Sequence, residues 1–212
     1  YFDNVTVTEI DNSVQVPYLS QDDERWKIAK YDSIDETIGG VGCAVTSAAM
    51  VLQYHGLSKL PDGNELNPLT LNNWLTAHSG YGLSGGVVFP NIAVLSKKIV
   101  SYMSSNGSSF DFEALVFKEH NPPFNYQSID NIISNLKHPL IFKEVKSESP
   151  TGVYFDVATE MIESGVHYKV ADPKNPSRID FLQPPDQLTS VRYFQPSNTN
   201  LSSLLLQTDN DL

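Results

Sequence analysis

The chain of 212 residues carries one cysteine, and the residues around it are those whose types and spacing could do chemistry. Gly39-Gly-Val-Gly-Cys43 is a glycine-rich turn that runs into an apolar segment ending at Gly56. A thiol at a helix start meets the free N–H groups of the first turn and the positive end of the helix dipole. Both favour the thiolate and lower its pKa. The glycines let backbone and substrate approach the sulfur closely. That is the setting of a cysteine nucleophile. Free cysteine is also among the most buried residue types, so a small core thiol is the competing reading of Cys43.

Other chemistries have no residues to carry them. There is no His-x-x-x-His pair, no cysteine cluster and no Asp-rich calcium loop, so no metal site is expected. Ser79-Gly-Tyr-Gly-Leu-Ser-Gly-Gly86 lacks the Lys-Ser/Thr of a phosphate-binding loop and the setting of a dinucleotide fingerprint, so no cofactor is expected either. Asp22-Asp23-Glu24 and Asp209-Asn-Asp211 read as solvated acidic faces.

The elements that must position Cys43 follow from periodicity. Val45, Ala48, Ala49 and Leu52 fall on one helical face, Met50, Val51 and Tyr54 cover much of the rest, and no charge interrupts Val41 to Ser58. A helix apolar nearly all round is buried and central, and Gly56 stops it. Further helices are expected over Asn67–His78, Phe89–Met103 and Tyr126–Leu136, the last capped by Ser128. Strands are expected over Phe110–Phe117, Pro139–Val145, Gly152–Thr159 and Val166–Ala171, with turns at Ser147–Gly152 and Glu160–Gly165. Val16–Gln21 reads as extended, and Asp22–Asp35 as a charged loop or short helix anchored by Trp26. Helices first and an antiparallel sheet after make an α+β pattern. The expected division is an extended arm at 1–14, one domain at 15–194, and a polar tail or linker at 195–212.

Composition narrows the partners. Fourteen Lys and Arg against 25 Asp and Glu give a net charge of -11, with no basic cluster. Nucleic acid and anionic membrane surfaces are disfavoured, because both need a positive patch. No apolar run reaches transmembrane length, so no membrane insertion is expected. One cysteine permits no intramolecular disulfide. A start at Tyr1 instead of Met points to an upstream segment removed or omitted, either a cleaved signal peptide or a stretch trimmed from the chain.

Several of these pieces together resemble papain-like cysteine peptidases of the bacteriocin-processing, double-glycine leader type. They are Val16-Pro-Tyr-Leu-Ser-Gln-Asp-Asp-Glu-Arg-Trp26, Thr37-Ile-Gly-Gly-Val-Gly-Cys-Ala-Val-Thr-Ser-Ala-Ala-Met-Val-Leu52, Pro68-Leu-Thr-Leu-Asn-Asn-Trp-Leu75, the Gly80-Tyr81 loop, and Tyr168-Lys-Val-Ala-Asp-Pro173. The resemblance implies a papain-like fold, with a central helix packed on an antiparallel sheet. It implies that Cys43 is the nucleophile, that Gln21 joins the Cys43 backbone N–H in an oxyanion hole, and that Asp172 orients the base. The family's histidine is expected on the strand before the Asp-Pro strand, and the best register puts Tyr154 there instead. A phenol, with a pKa near 10, is a poor base at neutral pH.

No other histidine fills the place. His167 and Asp172 are five apart on a strand and face opposite ways. His55 lies about 18 Å along the helix from Cys43. His78, His120 and His138 fall in or beside turns. Two functions follow. One is a catalytically degenerate, secreted or surface domain that binds peptide or protein, or assembles with other copies or a surface protein through its arm or tail. The other is an active cysteine peptidase with its base elsewhere. An amide-forming acyl transferase would use the same groups.

Overall fold

The computed structural model describes residues 13–106, 113–145, 152–178, 180–182 and 188–197. Most of the expected arm and tail therefore lie outside the described residues, as do the turn at 147–151 and Asp209–Asp211.

The glycine-rich turn folds into a one-turn helix of its own, α1 (Ile38–Val41), with the Thr37 side chain accepting from the Gly40 N–H as its cap. Gly42 separates it from α2 (Cys43–Tyr54). A side chain at Gly42 would meet the Ile38 carbonyl oxygen at 2.4 Å, so the junction needs glycine. Every residue of α2 from Cys43 to Leu52 is buried. The chain leaves the helix at Gly56, whose φ of +83° suits glycine. Asn67 and Thr70 form a capping box on α3 (Pro68–Ala77), and α4 spans Phe89–Ser105. Trp26 is buried and donates its indole N–H to the Ser20 carbonyl, which anchors the loop around it.

The strands differ more from expectation. The first, β1 (Leu115–His120), sits further along than 110–117. Helix α5 (Tyr126–Ser134) is capped by Asn125, not Ser128, whose backbone N–H instead donates to the Asn125 side chain. Strand β2 spans Leu140–Val145. Strand β3 (Val153–Glu163) runs four residues past its expected end, through the place expected for a turn. Two register shifts let it keep pairing with β4 (His167–Ala171), and Glu160 meets Lys169 across the ladder at 2.7 Å. Two strands were not anticipated: β5 (Asp180–Leu182) and β6 (Leu188–Pro196). Gln195 and Pro196, read as the start of the tail, belong to β6. At the other end, Val14 is buried and donates its N–H to the Thr159 carbonyl.

The result is a mixed α+β fold around a six-stranded antiparallel sheet in the order β1-β6-β2-β3-β4-β5. Alternation along the strands builds two cores. Ile141, Phe155, Val157 and Phe194 pack with α1 to α4. Leu140, Phe142, Ala158 and Val191 pack with Ile129, Ile132 and Ile133 of α5 on the opposite side. No helix among the described residues is long and apolar enough to cross a membrane.

Candidate active site

Cys43 is the first residue of α2, and it is only 6 % exposed. It lines a cleft of about 210 Å³ together with the Ser84–Val87 loop and the start of β3 at Val153 and Phe155. Burial pushes its thiol up to about 12. Backbone contacts to Phe155 and Ala44 pull the other way, while the charges of Asp156 and Asp172 add to the rise. The helix-start effect expected to lower its pKa is thus outweighed by desolvation.

Tyr154 stands on β3 with its hydroxyl donating to Asp172 Oδ1. Asp172 follows β4, is buried, and has its Oδ1 held by the backbone N–H groups of Lys174 at 2.8 Å and Asn175 at 2.9 Å. The structure therefore joins Tyr154 to Asp172, while the β3 residues that line the Cys43 cleft are Val153 and Phe155. Burial first, then the hydrogen bond and charge of Asp172, raise the Tyr154 phenol above its ordinary value, so it holds its proton.

Gln21 is fully buried, and its backbone N–H donates to the Pro173 carbonyl, which ties the N-terminal loop to the Asp172 turn. Its side-chain amide donates to the Gly39 carbonyl at 2.9 Å, and its Oε1 has no partner among the described residues. The same carbonyl accepts from Lys174 Nζ at 2.7 Å, which also pairs with Asp22 at 2.9 Å. Asp22 is therefore engaged in an ion pair with Lys174 and is more than a solvated acid. Asp23 and Glu24 pair locally with Arg25 and Lys27 on the surface.

One group of residues escaped the sequence reading. Arg178, in the turn after β4, donates to Asp156 at 2.7 Å, to Asp172 at 3.0 Å and to Glu144 at 3.3 Å. All three carboxylates are buried. Burial, reinforced by the Glu144 side chain, pushes Asp156 well above the usual carboxylate range, with Arg178 opposing. The signal was a charged residue inside the otherwise apolar run Val153-Tyr-Phe-Asp-Val-Ala158, a place where an acid must be paired.

None of the five histidines lines the Cys43 cleft. His55 and His138 sit together beyond the far end of α2, with ring centroids 5.7 Å apart. His120 stacks on Tyr193, and His78 stacks on Trp74 at 4.1 Å. His167 is half-buried at the start of β4, across from Glu163 and Leu182. Among the described residues no group of three or more His, Cys, Asp or Glu is placed to hold a metal ion. No family model matches the chain, and no curated protein matches it.

Proposed function

We propose that this chain is a papain-like domain of the bacteriocin-processing peptidase type that has lost its general base, and that it binds peptide outside the cell. The cleft beside Cys43 is the binding site. Its walls are apolar side chains, glycines and one serine, and no lining side chain carries a charge, so it suits an uncharged, apolar stretch of peptide. Assembly with other copies or with a surface protein would run through the segments that flank the domain.

The observation that carries this reading is the Tyr154 phenol on Asp172, where a peptidase would carry an imidazole. A base has to take the thiol proton near neutral pH, and a buried phenol cannot. The thiol itself is held protonated by burial. Labelling with iodoacetamide tests this. Cys43 should react more slowly than a model thiol below about pH 8, and speed up only in strong alkali. Fast labelling near neutral pH, together with peptide cleavage that disappears in Cys43→Ala, would establish an active peptidase instead.

A further inference from the structure

We propose that a peptide bound beside Cys43 is also read by a second groove, where Asp32 holds a basic side chain, lysine or arginine, of the same peptide. The proposal rests on the reading of the Cys43 cleft as a peptide site, and it adds a charge preference that the apolar cleft does not itself supply.

The two grooves share both walls. Tyr31 and Ile34 line the Cys43 cleft, while Asp32 and Ser33, between them in the chain, line a groove of about 310 Å³. The facing loop divides in the same way. Ser84–Val87 line the cleft, and Ser79, Tyr81 and Leu83 line the groove. The two loops touch at Ile34 and Gly85, where a methyl group added to the glycine would lie 3.0 Å from the Ile34 side chain. A peptide seated in the cleft therefore has the second groove beside it, along the same two loops.

The chemistry of the second groove is different. Its lining includes the hydroxyl residues Ser33, Thr76 and Ser79, and Asp32 is the one charged residue among those that line it. The Asp32 carboxylate accepts from the Ser33 hydroxyl at 3.3 Å, and no salt bridge among the described residues involves it. A half-buried carboxylate with spare acceptor capacity and no counter-charge favours a cation. The groove is also held in shape. Asn72 of α3 is buried, and its Oδ1 accepts from the Asp32 N–H at 3.0 Å and from the Tyr81 hydroxyl at 2.9 Å, one from each wall. Its amide group donates to the Lys30 carbonyl at 3.1 Å. Asp32 and Ser79 have φ of +49° and +55°, and they are two of the three non-glycine residues with positive φ among the described residues. A backbone in that region persists only where its surroundings hold it, and the Asn72 contact does so for Asp32. A carboxylate fixed in this way binds a cation without first having to be ordered.

A peptide series on the full chain tests this. The probes are short acetylated peptides with a neutral fluorophore, a Leu-Leu pair and one variable residue, Lys, Gln or Glu, set at different distances to either side of the pair. Binding is followed by fluorescence anisotropy. At one placement the Lys peptide should bind about tenfold more tightly than the Glu peptide at low salt, with Gln between them, and physiological salt should narrow the gap. Asp32→Asn should abolish that preference and leave the Kd of the Gln peptide unchanged within about twofold. Asparagine tolerates positive φ as aspartate does and keeps the backbone N–H, so unchanged binding of the Gln peptide also shows that the variant is folded. If the variant does not fold, the dependence on placement in the wild-type chain decides alone. Equal binding of the three peptides at every placement overturns the proposal. A Lys preference of the same size at every placement, or one that survives in Asp32→Asn, belongs to the net charge of -11 and overturns the role of Asp32. If no peptide binds, the Gln peptides included, it is the proposed peptide-binding function that fails, and this proposal with it.

Discussion

A phenol can orient a carboxylate, but it cannot relieve a neighbouring thiol of its proton near neutrality. Its pKa starts near 10, and burial beside Asp172 takes it higher. Histidine in the same place would keep the hydrogen bond to Asp172 and add a base that titrates near 6.5. Tyr154→His should therefore raise the rate of Cys43 alkylation below about pH 8 by about tenfold or more, and alkylation followed against pH measures it. An unchanged pH profile would mean that position 154 is not where the base belongs. Cys43, Gln21, Tyr154 and Asp172 were legible in the sequence because each belongs to a short local motif. Glu144, Asp156 and Arg178 were not. Arg178 reaches Asp156 across 22 residues and Glu144 across 34, and no local pattern records a contact that only the sheet creates.

The helices announce themselves through spacing, and α2, α3 and α4 fall within a few residues of where periodicity puts them. The strands do so less well. Strand β6 is buried on both sides, with Val191 and Tyr193 in one core and Phe194 in the other, so it lacks the clean alternation that marks a half-exposed strand. The histidine pair shows the same limit. His55 closes α2 and His138 precedes β2, and contacts distant in sequence bring them together: Tyr54 donates to the Lys137 carbonyl, and His138 stacks on Tyr193 of β6. Burial, then the neighbouring His138, depresses His55 to about 4, and burial lowers His138 in the same direction. An unfolded chain takes up these protons near pH 6.5, before the folded one does, so stability falls as pH drops from about 6.5 toward about 4. Urea unfolding at several pH values should show His55 contributing about 2–3 kcal/mol to this loss. The dependence over that window should flatten in His55→Gln, and a wild-type chain equally stable at both ends would contradict the assignment.

At the scale of the molecule, a net charge of -11 sits on a surface with few cations to offset it. The surface ion pairs, such as Arg25 with Asp23 and Lys27 with Glu24, are short-range and exposed, and pairs of that kind contribute little. General repulsion should dominate. Raising salt from low to physiological ionic strength should lift the thermal midpoint by about 2–4 °C, corresponding to about 1 kcal/mol. A midpoint that falls with salt would show that the ion pairs outweigh the repulsion. The sheet order has a consequence of another kind, in time and not in energy. Strand β6 lies between β1 and β2, although it is the last of the described strands to be made. Until it emerges from the ribosome, β1 has no strand to pair with and β2 has an open edge. The nascent chain can form its helices and the β2-β3-β4 meander early, but it must wait for residues 188–196 before the two halves of the sheet become one.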